Sequence, residues 1–130
     1  MAQPRDFGFG EEEQMVRDSA RRFLLEKVGG DKLRRMVARD HREAYESEEP
    51  PLAFDEELWR EIVELGWTSL AVPADAGGAG MKMVAVAALA EEAGRAALTS
   101  PLVSTLLATC VLRESKSDMA RAWLAGEEEA

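Results

Sequence analysis

The chain has 130 residues, 46% of them hydrophobic and 32% charged, and its 25 acidic and 16 basic side chains give a formal net charge of −9. That length supports a modest core, while the acid excess argues against nucleic acid or an anionic membrane surface as partner, since both demand surplus lysine and arginine. The lone Cys110 excludes an internal disulfide and fits a reducing cytoplasm, and no apolar run has the length of a signal peptide or a bilayer span.

In chain order, Glu11–Gly30 predicts a first helix. Three glutamates occupy its first turn, where the helix dipole favours negative charge, and Gly29 and Gly30 end it. Met15, Val16, Ser19, Ala20, Phe23 and Leu24 fall on one side at steps of three and four, which predicts a buried stripe. Asp31–Asp40 predicts a short second helix with Leu33, Met36 and Val37 inward, followed by a polar, exposed loop that ends at Pro50 and Pro51. The third helix has strong boundary signals: Asp55 as N-cap, Phe54 and Trp59 as a hydrophobic staple, and Gly66 at C′. Leu58, Ile62 and Leu65 form its predicted inner stripe. Trp67–Pro73 reads as short and extended.

The alanine-rich segment Met83–Arg95 predicts a fourth helix, central because small side chains let a neighbour approach closely. Ser100 and Pro101 open a fifth helix running to Ser115, and Ser117 opens a sixth that stops before Gly126. About six helices, short connections and no sheet predict an all-α fold, an orthogonal or up-down helical bundle.

Several motifs invite chemistry and fail its requirements. The stretch Val72–Lys82 is glycine-rich, but a phosphate-binding loop needs lysine directly after its last glycine and then a hydroxyl. Here Met81 precedes Lys82, Met83 follows, and Asp75 adds the wrong charge, so a structural bend is expected. Gly8 and Gly10 have dinucleotide-fingerprint spacing, yet Glu13 replaces the third glycine and no strand precedes them. His41 is the only histidine and sits among Asp40, Arg42 and Glu43, which predicts a solvated loop side chain and no metal site. Cys110 lies in an apolar helix as a core cysteine. Trp59, Trp67 and Trp123 read as core or interface anchors. Glu91 and Glu92 point about 100° apart on a helix, which rules out a two-carboxylate site and predicts a polar rim with Arg95 as an ion-pair partner. No catalytic constellation is self-contained in the chain.

Three segments, in order, resemble one family. Asp6–Val28 is similar to the opening helix of acyl-CoA dehydrogenases, an acid-rich start followed by R-x-x-x-R-x-F, here Arg17, Arg21 and Phe23. Leu58–Gly80, "LWREIVELGWTSLAVPADAGGAG", resembles the family's W-x-x-L-x-E-L-G-W-x-x-L-x-V-P-E-x-x-G-G-x-G pattern. Ala88–Thr105, with "EEAGR" and "SPL", resembles the segment that follows. The sequence departs from the pattern at Gly10, usually threonine or serine, at Ala76, often aromatic, and at Ala93, commonly leucine.

The resemblance implies an N-terminal α-helical domain of an FAD-dependent acyl-CoA dehydrogenase. It implies one helical domain over residues 1–130, with the family's middle β-domain and C-terminal helical domain absent. The family reaction is α,β-desaturation of an acyl-CoA, in which a carboxylate removes the α-proton and the flavin accepts the β-hydride. Its catalytic base and most of its flavin site lie in the other two domains, so no catalytic residue is expected here and FAD is not expected to bind this chain alone. Pro101, Leu102 and Thr105, on one face of the fifth helix, are the expected acyl-pocket residues. The missing domains or a partner subunit, in a homo- or hetero-oligomer, are the expected partners. A non-catalytic helical interaction module is the alternative.

Overall fold

The computed structural model describes residues 8–37, 54–115 and 117–125. They form α1 (Glu11–Lys27), α2 (Gly30–Val37), α3 (Glu56–Glu64), the 3-10 turns Trp67–Ser69 and Ala74–Ala76, α4 (Met83–Arg95), α5 (Leu102–Ser115) and α6 (Asp118–Ala125). There is no strand among the described residues. The fold is all-α, as the periodicity predicts.

The helix boundaries follow from local chemistry. At α3 the Asp55 carboxylate accepts the Leu58 N–H at 3.0 Å, and the Phe54 and Trp59 rings meet edge to face with centroids 6.3 Å apart. Gly66 closes the helix in the left-handed region at φ +77°, its N–H bonded to the Val63 carbonyl. Ser100 Oγ accepts the Leu102 N–H ahead of α5, and Ser117 Oγ accepts the Ala120 N–H ahead of α6, so both predicted caps are in place. At α1 the missing side chain of Gly10 is compensated from the other direction. The Glu13 carboxylate folds back onto the Gly10 N–H at 2.9 Å, supplying one half of a capping box.

The core gathers Ala20 and Leu24 of α1, Leu58 and Ile62 of α3, Trp67, Leu70 and Ala71, the inner face of α4, and Leu102, Leu106 and Cys110 of α5. α4 is central, with Ala85, Val86, Ala88, Leu89 and Ala93 all buried. Phe23 of α1 meets Trp67 edge to face at 5.3 Å. Two ion pairs tie the N-terminal helices to α3: Lys27 to Glu61 at 2.7 Å, and Lys32 of α2 to Asp55 at 2.6 Å.

Three predicted details differ. Trp67–Pro73 is not extended: it curls through a 3-10 turn and further bends, which let Trp67, Leu70, Ala71 and Val72 all point inward. Leu65 is 52% exposed, because the chain leaves the α3 axis there to enter the Gly66 turn. Met15 is 68% exposed and Ser19 is also exposed; the α1 stripe is narrower than predicted, centred on Ala20 and Leu24 with Val16 and Phe23 half-buried. Of the two roles expected for the tryptophans, core or interface anchor, the core one does not apply to Trp123, which is 47% exposed and lies outside the core. Leu33 is half-buried as expected; the side chains of Met36 and Val37, His41 with its loop, and the Gly126 stop lie outside the described residues.

α4 ends in a Schellman turn, with the Leu98 N–H on the Ala93 carbonyl at 2.9 Å and the Ala97 N–H on the Gly94 carbonyl at 3.0 Å. The residue forced into the left-handed region is Ala97, at φ +51°, where glycine is the usual occupant. Ala97 is exposed and glycine there removes only a methyl group. Ala97→Gly is therefore expected to stabilise the fold by about 0.5–1 kcal/mol, relief of the left-handed strain outweighing glycine's larger unfolded-state entropy. Thermal or urea unfolding checks it.

Candidate functional site

The glycine loop is closed on itself. Five consecutive N–H groups, from Gly77 to Met81, donate to the carbonyls of Ala74, Pro73, Ser69, Val72 and Leu70 in turn, at 2.8–3.2 Å. A phosphate cradle needs such N–H groups free and convergent; here each already has a carbonyl partner. Gly77 and Gly80 supply the positive φ angles, +86° and +62°. Gly78 is required for a different reason: a Cβ at that position would stand 2.2 Å from the Val72 carbonyl oxygen. Arg113 of α5 adds an outside tie, its Nη1 donating to the Met81 carbonyl at 3.3 Å.

The second glycine decoy is equally settled. The Glu13 carboxylate sits on the Gly10 N–H at the start of α1 and is buried, so the helix N-terminus already carries its anion.

The R-x-x-x-R and "EEAGR" motifs meet in space. Arg21 grips Glu92 with both arms of its guanidinium, Nε to Oε2 at 3.1 Å and Nη2 to Oε1 at 2.8 Å. Arg95 reaches the same carboxylate at 3.4 Å and Glu91 at 3.1 Å, and Arg17 reaches Glu91 at 3.5 Å. Arg17 also stacks over Phe9, 4.3 Å from the ring centroid, with its Nε buried and unpartnered. Arg95 does pair with Glu91 as the spacing predicts, but Glu92 is not a polar rim: its side chain is only 1% exposed, packed into the α1–α4 seam. Arg21 holds the Glu92 carboxyl below its ordinary range, through the hydrogen bonds first and its charge second, against the opposing pull of burial. Its own guanidinium is raised in return. Sequence reading missed this clamp because helical periodicity assigns every charge to the outside, and the partner lies 71 residues away. The arrangement fixes two helices, and each carboxylate is engaged by arginines.

Pro101, Leu102 and Thr105 are brought together at the start of α5, but not equally placed. Leu102 is fully buried in the core, while Pro101 and Thr105 are half-buried, the Thr105 hydroxyl donating to the Pro101 carbonyl at 2.9 Å. Cys110 is a buried core residue, as expected. No cluster of three or more metal-ligating side chains occurs among the described residues, and no helix among them is long and apolar enough to cross a membrane.

A further concavity lies between α5 and α6. It is a groove of about 640 Å³ bordered by Leu107, Val111, Met119 and Trp123, with no charged side chain in its described lining. A smaller hollow of about 280 Å³ between the glycine loop and α6 carries Asp75, Arg113 and Arg121.

The sequence matches the family model for the acyl-CoA dehydrogenase N-terminal domain over residues 10–126, nearly all of the chain. The chain belongs to the acyl-CoA dehydrogenase family. It is 33% identical over 103 residues to acyl-CoA dehydrogenase IpdE2 of Mycobacterium tuberculosis, a match covering 78% of this chain and 29% of that protein. It is 40% identical over 72 residues to acyl-CoA dehydrogenase IpdE2 of Mycolicibacterium smegmatis, covering 55% of this chain and 22% of that one. The chain thus spans less than a third of the curated relatives it matches. No solved structure matches it. The glycine loop and the arginine–glutamate clamp are therefore where this acyl-CoA dehydrogenase domain keeps two of its recognisable motifs, and both hold the fold together.

Two expectations follow. Gly78→Ala is expected to destabilise this acyl-CoA dehydrogenase domain by at least about 2 kcal/mol, because the obstructing atom belongs to the backbone and cannot swing aside; denaturant unfolding measures it. The second concerns acid. Glu92 and Asp55 both titrate below their unfolded values, Asp55 because Lys32 and the Leu58 N–H bond its carboxylate. Their contribution to stability is complete above the ordinary carboxylate range and is lost as pH falls towards their folded-state values. Glu92→Gln is expected to lower the midpoint at neutral pH by several degrees and to give a shallower acid limb, since one of these two linked carboxylates is then gone. A pH series of thermal melts on both proteins reads it.

Proposed function

We propose that this chain serves as the N-terminal helical domain of an FAD-dependent acyl-CoA dehydrogenase, acting on an acyl-CoA thioester and not catalytically competent by itself. The observation that carries the reading is the family match over residues 10–126, supported by motif residues that fall into one consistent helical frame. The rest of such an enzyme, comprising the middle β-domain and the C-terminal helical domain, lies in further polypeptide or in a partner subunit. The chain's part is packing surface and one wall of the acyl pocket. Pro101 and Thr105 face that wall, and Leu102, locked in the core, fixes the start of α5 behind them. A cytoplasmic location belongs to the same reading.

The two glycine stretches do not offer FAD a pyrophosphate site. Its pyrophosphate needs free N–H groups at a glycine turn or helix start, and the two stretches with suggestive glycine spacing have theirs engaged by Glu13 and by the loop's own carbonyls. No chemical step is assigned to a residue of this chain.

A second reading, a non-catalytic helical module that works by association, is favoured by one observation: the uncharged groove between α5 and α6. A chimaera separates the two. Residues 10–126 replace the matching segment of the M. tuberculosis relative, and the purified protein is examined for bound flavin by its absorption spectrum. The chimaera is expected to purify with FAD and to bleach on adding an acyl-CoA substrate of that relative, while the isolated chain mixed with FAD and the same thioester stays colourless. A chimaera that folds but stays colourless, or an isolated chain that binds flavin, overturns the first reading.

A further inference from the structure

Three lysines lie among the described residues, and the fold treats them unequally; Lys116 lies outside those residues. Lys27 Nζ stands 2.7 Å from Glu61 Oε2, and Lys32 Nζ stands 2.6 Å from Asp55 Oδ2. Both of these side chains are partly buried. Lys82 differs on each count. It is exposed, it stands directly ahead of α4, and its side chain has no hydrogen-bond or ion-pair partner among the described residues. Its backbone is nevertheless held firmly. The Met81 N–H donates to the Leu70 carbonyl at 2.9 Å, Arg113 donates to the Met81 carbonyl, and the Lys82 carbonyl accepts the Ala85 N–H at 3.0 Å.

A lysine attacks a carbonyl carbon only as the neutral amine. A carboxylate beside the nitrogen favours the charged, unreactive form. The hydrogen bond to Glu61 holds the Lys27 ammonium above the usual lysine range. At Lys32 the contact with Asp55 must break before the nitrogen can reach another partner. Lys82 has no such contact to undo. The proposed function supplies the electrophile, because an acyl-CoA thioester is an acyl donor to amines without any cofactor.

We propose that Lys82 is an acylation site that takes its acyl group directly from an acyl-CoA thioester. The Nζ lone pair adds to the thioester carbonyl carbon, a C–N bond forms and the C–S bond breaks. One Nζ proton passes to solvent, and coenzyme A leaves as the thiolate and is protonated to the thiol. Nothing is oxidised or reduced. The amide product has lost the positive charge of the lysine. At Lys82 that loss breaks no described ion pair, whereas at Lys27 or Lys32 it would cut a tie between the N-terminal helices and α3. The proposal rests on the function above only in naming acyl-CoA as the donor. It is read on the chain without flavin, so its failure and the failure of the enzyme reading appear in different experiments.

The purified chain is incubated with acetyl-CoA at mildly alkaline pH, and peptide mass spectrometry follows the acetylation of each lysine. Lys82 is expected to react about fivefold faster than Lys27 or Lys32, the upper end of what a partly exposed ion pair contributes. Two variants test the cause. Glu61→Gln releases Lys27, and Asp55→Asn releases Lys32 while keeping a capping side chain ahead of α3. Each released lysine is expected to come within about twofold of Lys82, whose own rate stays unchanged. Unfolding in guanidinium chloride is expected to level all three. Equal rates in the folded chain, Lys27 or Lys32 ahead of Lys82, the same order kept in the unfolded chain, or a released lysine as slow as before overturns the proposal.

Discussion

The α1–α4 seam depends on one buried carboxylate. Glu92 is shielded from water in the middle of the domain, where an unpaired charge would be strongly destabilising, and the two-armed Arg21 contact makes its position tolerable. The fork fixes the rotation and the height of α1 against α4 together, because both nitrogens must meet both oxygens. With that register set, Ala20 and Leu24 face Ala85, Leu89 and their neighbours in the core, and Phe23 reaches Trp67. Arg17 and Arg95 continue the same pattern at the exposed edge through Glu91, where solvent weakens each contact.

The glycine loop and the helix caps translate this register to the rest of the chain. Gly66 turns the chain out of α3, the 3-10 turn Trp67–Ser69 carries Trp67 and then Leu70 inward, and past the exposed turn Ala74–Ala76 the Gly77–Met81 N–H groups close the loop onto the carbonyls it has just passed. Arg113 then links the loop to α5. The motif that looks most like a ligand cradle is thus a clasp between the α3 and α4 halves of the core.

The sequence was most legible where structure is local. Asp55, Phe54 with Trp59, Gly66, Ser100 and Ser117 declare helix ends through contacts spanning at most five residues, and each stands where its chemistry places it. It was least legible where the deciding partner is distant. Glu92 has the composition of a surface residue until Arg21 is beside it. Trp67–Pro73 has no period to read, because a 3-10 turn followed by bends repeats nothing. On α5 nearly every position from Leu102 to Leu112 is apolar or small, so no polar face announces which side turns outward, and the exposed Val103–Leu107–Val111 row appears only once Leu102, Leu106 and Cys110 have been drawn into the core. The candidate pocket residues show the same limit: their common helix was readable, the burial of Leu102 was not.

The distance along the chain between Arg21 and Glu92 has a consequence in time. The clamp joins residues 71 apart, so Arg21 has no carboxylate to grip until α4 exists, and closing so long a loop costs entropy before that contact rewards it. On a ribosome, α1 emerges with its apolar stripe and two arginines uncovered and waits through the synthesis of everything up to Arg95. The helices made in between, α2 and α3, can gather early through the short-range pair Lys32–Asp55, but the central seam forms last. A nascent chain halted before Glu92 would hold most of the helices' local signals and none of the register that makes them one core.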